Sequence, residues 1–287
     1  MSEERGSRRS GILYVVGTPI GNLDDITIRA IDVLKQVAVI AAEDTRTTAK
    51  LLARHGIATK CVSFREQNSA RAIPPLLEQL AEGCDVAVVS DAGTPSISDP
   101  GDALVAAAAR EGFHVSPIPG ASALASAISV AALEGDGVRF AGFLPRSGKD
   151  RRKRIEAISA DPSCTVVYES PRRIGETLEE LAATCPGREA VLCRELTKIH
   201  EEIARGPLED LATRFSGDVK GEITLVIGGN RESAGEIDDE RLRALVEERV
   251  RAGKSAKDVA AALSAALGVK KKRIYQMAVE ALGQRDE

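Results

Sequence analysis

Three short turns rich in glycine and proline, each directly after a strand-like apolar run, constrain this chain more than any other feature. Gly17-Thr18-Pro19-Ile20-Gly21 follows Ile12–Val16, Asp91-Ala92-Gly93-Thr94-Pro95 follows Val86–Ser90, and Pro117-Ile118-Pro119-Gly120-Ala121 follows Phe113–Ser116. Open α/β sheets bind ligands outside the carboxyl ends of their strands. Glycine there lets a ligand approach the backbone, and proline fixes the path of the turn. Gly17, Pro19, Gly93, Pro95 and Gly120 are therefore expected to line a backbone-walled pocket for a small molecule.

The rest of the chain reads as alternating strands and helices. From residue 11 to 118, strands are expected at Leu13–Val16, Val39–Ala42, Cys61–Phe64, Asp85–Ser90 and His114–Pro117. Helices lie between them at Asp25–Val37, Thr45–His55, Ile73–Glu82 and Gly101–Glu111. Such alternation implies crossover connections and a mostly parallel sheet. A second α/β domain is expected over 119–230, with strands at Phe140–Phe143, Thr165–Glu169, Glu189–Arg194 and Glu222–Ile227 and a mixed sheet. A polar linker over 230–237 then leads to a small helical domain at 236–287, with helix-turn-helix character at Ala256–Leu267, Gly268 and Lys270–Leu282.

Composition narrows the function. With 287 residues, two or three domains are expected, and 43% hydrophobic residues suffice for real cores. The net charge of −4 gives no global basic field, so a nucleic-acid partner would need local patches. Aromatic residues make up 3% and tryptophan is absent, which argues against recognition by stacking many bases on rings. The five cysteines form no Cys-x-x-Cys pair, which fits a reduced, cytoplasmic protein. The three histidines lack metal-ligand spacing, and no apolar run approaches the ~18 residues of a membrane span. Residues 1–10 read as a disordered polar tail rather than a secretory signal. The glycines between 142 and 148 are misspaced for a phosphate loop, and no Gly-x-Gly-x-x-Gly is present.

Leu13-Tyr14-Val15-Val16-Gly17-Thr18-Pro19-Ile20-Gly21-Asn22-Leu23 resembles the opening of the tetrapyrrole-methylase-like superfamily, the class III S-adenosylmethionine methyltransferases. Four further motifs narrow the likeness: Ala42-Glu43-Asp44-Thr45-Arg46, Ser90-Asp91-Ala92-Gly93-Thr94-Pro95, Pro119-Gly120-Ala121-Ser122-Ala123 and Glu169-Ser170-Pro171-Arg172-Arg173. They are similar to the members that methylate the ribose 2′-hydroxyl of a cytidine in 16S ribosomal RNA. The likeness spans nearly the whole chain. It implies two α/β domains with S-adenosylmethionine in the cleft between them, no metal, and a homodimer. By matching position it implies cofactor contacts at Ile20, Thr94, Ile97, Gly120 and Ala121, and from the second domain at Tyr168, Glu169, Glu195, Ile223 and Thr224.

Methyl transfer needs alignment of nucleophile, methyl and sulfur more than it needs charge chemistry. A ribose hydroxyl is a weak nucleophile, so a base or acceptor should assist it. Candidates at the motif edges are Glu43, Asp44, Asp91, Glu169, Glu195 and Lys198; Glu169 and Lys198 are carried forward as catalytic, Lys198 only if its pKa is depressed. For RNA, Arg46, Arg172 and Arg173 open helices beside the motifs, and arginine suits bidentate phosphate contacts. The densest positive run, with Arg146, Lys149, Arg151 and Arg152, and a second run with Lys270 and Lys271, are expected to hold RNA backbone of the small ribosomal subunit. Two alternatives stand beside this reading: a methyltransferase for a tetrapyrrole-like small molecule, and a non-catalytic RNA-binding assembly factor.

Overall fold

A computed structural model describes residues 10–96, 101–230, 239–267, 269 and 271–283. The tail over 1–9, Ile97, the linker over 231–238, Gly268 and Lys270 lie outside the described residues.

The first sheet forms from β1 (Ile12–Val16), β2 (Val39–Ala42), β3 (Cys61–Ser63), β4 (Val86–Val89) and β5 (His114–Ile118). All pairings are parallel, in the order β3-β2-β4-β1-β5. Alternate residues point to opposite faces of a strand. Thus Leu13, Val39, Ala41, Val86 and Val88 enter one core, while Val16, Ile40, Ala42, Ala87 and Val89 enter the other. Helices α1 (Ile28–Gln36) and α2 (Thr45–Arg54) cover the second of these faces with Ala30, Leu34, Leu51 and Leu52. Helices α3 (Ser69–Ala81) and α4 (Gly101–Arg110) cover the first with Leu76, Leu80, Leu104 and Ala108. Side-chain caps set where the first two helices begin: Thr27 accepts from Ala30 N at 3.1 Å, and Asp44 accepts from Arg46 N at 2.9 Å.

Helix α3 starts four residues before the expected Ile73 and carries Pro74 and Pro75 inside it. Asp25–Val37, expected as one helix, divides into a 3₁₀ turn at Leu23–Asp25 and α1.

After α5 (Ala123–Ala131) comes the second sheet: β6 (Val138–Phe143), β7 (Cys164–Glu169), β8 (Glu189–Arg194), β9 (Glu202–Pro207) and β10 (Ile223–Ile227). Its order is β6-β7-β10-β8-β9, with β6 and β7 parallel and the remaining pairs antiparallel. Helices α6 (Gly148–Ala160), α7 (Ile174–Thr184) and α8 (Leu208–Arg214) pack on one face, and α5 packs on the other. β9 and α8 are additions to the sequence reading. Glu202-Ile-Ala-Arg-Gly-Pro carries too little apolar pattern to announce a strand, but an edge position tolerates such residues.

At the C-terminal end, α9 (Asp239–Arg251), α10 (Ala256–Leu267) and α11 (Lys271–Gly283) share their own core around Leu242, Val246, Val259, Leu263, Ile274 and Ala278. Among the described residues, no helix is long and apolar enough to cross a membrane.

Candidate functional site

The strand order brings the three turns together. β4, β1 and β5 are neighbours in the sheet, so the turns that follow them lie side by side at one sheet end. Gly17 N donates to Ile118 O at 3.0 Å, and Thr18 and Gly93 exchange backbone hydrogen bonds at 2.8 and 3.1 Å. Thr18, buried, adds a hydroxyl bond to Ser90 O at 3.1 Å. Gly17 and Gly120 touch backbone to backbone, and a Cβ on Gly120 would lie 2.8 Å from Gly17 O. Gly93 has φ +79°, a left-handed conformation that suits glycine.

Above these turns is a cavity of about 360 Å³, closed on the far side by the second sheet. The first domain supplies Ile20, Ala92, Gly93 and Thr94, and the start of α5 supplies Ser122 and Ala123. Tyr168, Glu169, Ile223 and Thr224 contribute from β7 and β10. Three of the chain's eight aromatic residues gather at this wall. Phe140 and Phe143 meet Tyr168 edge to face at centroid distances of 4.9 and 5.8 Å. The Tyr168 hydroxyl accepts from Leu124 N at 3.2 Å, which joins β7 to the first turn of α5.

Several expected positions stand behind the lining rather than on it. Gly17, Pro19, Pro95, Gly120 and Ala121 build the turns beneath the cavity, and Glu195 lies behind Gly221. Phe143, Ser170, Pro171, Gly221 and Glu222 join the lining without having been anticipated. Ser170 and Pro171 were legible as part of the Glu169–Arg173 motif. Phe143, Gly221 and Glu222 sit at strand ends that only the second sheet's order brings to the cavity.

The two catalytic candidates need correction. Glu169 has a side chain with 0% exposure. Its Oε2 accepts from the Thr177 hydroxyl at 2.8 Å and pairs with Arg173 at 3.4 Å, and its Oε1 accepts from Ser170 N at 2.8 Å. A carboxylate so enclosed and occupied braces the wall and has no surface to present to a substrate hydroxyl. Lys198 donates to Glu195 at 2.8 Å and to Glu222 at 2.9 Å. Partial burial works against its charge, but the two carboxylates outweigh burial and raise its pKa, opposite to what a lysine base requires.

The pair sets a pH window. Burial opposes ionisation of Glu195, yet the hydrogen bond from Lys198 and the one from Glu222 N hold its pKa below the ordinary 4.5. A depressed carboxylate contributes stability above its unfolded value and loses it as pH falls through the folded one; a raised lysine contributes below 10.5 and loses it as pH rises through its folded one. Lys198→Met is therefore expected to lower the melting temperature at neutral pH, with the gap from wild type shrinking as pH drops below 4.5. A gap that stays constant through the carboxylate range would show that the pair contributes nothing.

The remaining acidic candidates are tied to one another through backbone N–H groups: Asp44 N donates to Asp91 Oδ1 at 2.9 Å and Asp91 N to Glu43 Oε2 at 3.3 Å. The Arg46 guanidinium holds the Asp44 carboxyl well below the usual range.

Among the RNA candidates, Arg151 is also corrected. Together with Ile155 and Ile158 it forms the buried stripe of α6, is 2% exposed, and binds Glu180, Thr177 and Pro145 O. Arg173 is partly buried, donating to Leu144 O and Pro145 O. Arg46, Arg146, Lys149, Arg152, Arg172 and Lys271 are exposed.

Residues 12–212 match the tetrapyrrole (corrin/porphyrin) methylase family. A relative from Vibrio cholerae, "Ribosomal RNA small subunit methyltransferase I", is 43% identical over 280 residues, covering 95% of this chain and 96% of its own. A second of the same name, from Halalkalibacterium halodurans, is 46% identical and covers 77% of each chain. Among solved structures, a cobalt precorrin-4 methyltransferase aligns with TM-score 0.60 at 20% identity over 79% of this chain and 98% of its own. A uroporphyrin-III C-methyltransferase from Thermus thermophilus, complexed with S-adenosylhomocysteine, aligns at 0.56 and 19% over 76% of this chain and 97% of its own. The family match over residues 12–212, the likeness in fold and identity along almost the whole length lead to one conclusion: the chain belongs to the tetrapyrrole (corrin/porphyrin) methylase family.

Proposed function

We propose that this chain is an S-adenosylmethionine-dependent methyltransferase of small-subunit ribosomal RNA, acting on the 2′-hydroxyl of a cytidine, in the cytoplasm and as a homodimer. The observation that carries the substrate is the likeness, at 43% identity along 95% of the chain, to a relative named for small-subunit ribosomal RNA. The cavity supports the cofactor. At about 360 Å³ it falls in the range of small-molecule sites. It combines an apolar aromatic wall with a glycine floor where a ligand can lie against backbone. Gly17, Ile20, Gly93, Thr94, Pro95, Gly120 and Ala121 would shape its first-domain side, and Tyr168, Ile223 and Thr224 the other.

When bound, the cofactor supplies an electrophilic methyl on a sulfonium. The chain's own part is positional. The nested turns and the Phe143–Tyr168 wall would fix the ligand's place between the sheets, and Arg172, exposed and next in sequence to the lining residue Pro171, offers a cation for RNA phosphate. Arg146 just before α6, Lys149 and Arg152 on it and Lys271 at the start of α11 add further exposed cations.

The test is transfer of labelled methyl to small ribosomal subunits lacking their native methylation, followed by alkaline hydrolysis. A 2′-O-methyl blocks cleavage at its own phosphodiester, so label is expected in an alkali-resistant dinucleotide. Label released as a mononucleotide would mean base methylation. No transfer to RNA from a chain that binds cofactor would turn the reading toward a small-molecule acceptor.

A further inference from the structure

The mouth of the cavity carries a carboxylate outside the turn motifs. Glu222 lines the cavity, and its side chain is 69% exposed. Glu169, the other carboxylate on the lining, has no exposed side-chain surface. Among the described lining residues, Glu222 is thus the one carboxylate whose oxygens can meet a ligand. Lys198 contacts Oε2 at 2.9 Å; Oε1 has no protein hydrogen bond among the described residues.

The setting of Glu222 is fixed from two sides. Its backbone N–H donates to Glu195 Oε1 at 2.8 Å, and its carbonyl accepts from Glu195 N at 2.9 Å. Lys198 bridges the two carboxylates. Gly221, just before, has φ +96°, and a Cβ there would lie 2.5 Å from the Glu195 carboxyl carbon, so any other residue would be strained and would push the Glu195 carboxylate out of this pair.

The loop that supplies Glu195 and Lys198 is itself strained. Glu195 and Thr197 adopt φ +52° and +65°, and a β-branched residue in that region is an outlier. Such strain persists only where the surroundings over-determine it, and it gathers at ligand clamps. Here the surroundings include the other domain: Asn22 N donates to Thr197 Oγ1 at 3.1 Å, two residues after the cavity residue Ile20. The loop therefore joins both walls of the cavity.

We propose that Glu222 is a cofactor-binding residue that accepts a hydrogen bond from an O–H or N–H donor of the cofactor, and that Lys198 is a positioning residue that holds this carboxylate at the cavity mouth. The inference rests on the cavity being the S-adenosylmethionine site. An ionised carboxylate accepts only, so it selects ribose hydroxyls or the amino group of the cofactor and repels a phosphate.

Calorimetric titration of the full chain with S-adenosylhomocysteine and with 5′-methylthioadenosine, which lacks the amino-acid portion, tests it. Wild type should bind S-adenosylhomocysteine; if it does not, the cavity reading fails and the inference with it. If it does, Glu222→Ala is expected to weaken S-adenosylhomocysteine about tenfold or more, as loss of a charge-assisted hydrogen bond does. An equal loss for both ligands places the donor on the nucleoside, and a loss confined to S-adenosylhomocysteine places it on the amino group. Unchanged affinity for both, with or without a lower melting temperature, overturns the role of Glu222. Lys198→Met is expected to weaken binding several-fold when Glu222 is present and not at all in the Glu222→Ala background. Equal losses in both backgrounds overturn the positioning role.

Discussion

Gly120→Val is expected to abolish measurable binding of S-adenosylmethionine while leaving a folded chain with a lowered melting temperature. A Cβ at this position would lie 2.8 Å from Gly17 O and 2.9 Å from Gly17 C, and both are backbone atoms. The obstacle cannot swing aside, because Gly17 N is bonded to Ile118 O at 3.0 Å and Thr18 to Gly93 on the other flank. Relief requires the turns after β1 and β5 to part, which carries Ile20 and Ser122 away from their places on the cavity. Overpacking of this kind costs about 1–3 kcal/mol, less than the stability of most domains. The five-residue register between β1 and β5, and the two cores on either face of the sheet, should therefore survive. Gly112→Ala is the matching control. Gly112 has φ +80° with open space around it, so alanine adds backbone strain far from the cavity. It is expected to lower the melting temperature and keep cofactor affinity. Calorimetry beside circular dichroism separates the two, and wild-type affinity in Gly120→Val would show that the nested turns do not hold the cofactor.

The two variants also mark what the sequence could disclose. Short apolar runs at Leu13–Val16, Val39–Ala42 and Val86–Val89, alternating with helical patterns, made the first sheet legible, because strands of a parallel sheet are covered on both faces. That the three turns would meet depends on β4-β1-β5 adjacency, which no local pattern encodes. The contact of Gly17 with Gly120 spans about a hundred residues and became visible only in the fold. Charge misled where burial decided. Arg151 stands in a run of cations, yet its spacing to Ile155 and Ile158 puts it on the apolar stripe of α6; that periodicity was a signal available in the sequence and outweighed there by composition. Glu169 and Lys198 occupy motif edges as a base would, but their partners Thr177 and Glu222 lie outside those motifs. Proximity to a motif could not distinguish a free carboxylate from a braced one.

Arg151→Met is expected to destabilise the chain by about 3–5 kcal/mol, the cost of breaking a buried ion pair by removing one partner, which corresponds to a fall in melting temperature of roughly 6–20 °C. The guanidinium ties α6 to α7 and to the loop after β6: Nε donates to Glu180 at 2.7 Å, Nη2 to the Thr177 hydroxyl at 3.0 Å and Nη1 to Pro145 O at 3.2 Å. It also lies 4.0 Å from Glu169, whose side chain is fully enclosed. Methionine fills the volume but leaves Glu169 with Arg173 as its one remaining cationic neighbour, and the buried Nε of Arg173 already has no hydrogen-bond partner. That loss loosens the Leu144–Pro145 segment behind the cavity wall and the Ser170–Pro171 segment that lines it. Arg152→Ala, one residue on and exposed, should change stability by less than about 0.5 kcal/mol. Its effect should fall on RNA instead, weakening binding across sequences and reducing the salt dependence by about one counterion. Melting curves and salt-dependent RNA binding on the two variants read these effects separately. A stable Arg151→Met chain with weakened RNA binding would return Arg151 to the surface patch, because a guanidinium bonded on three sides inside the protein has nothing left to offer a phosphate.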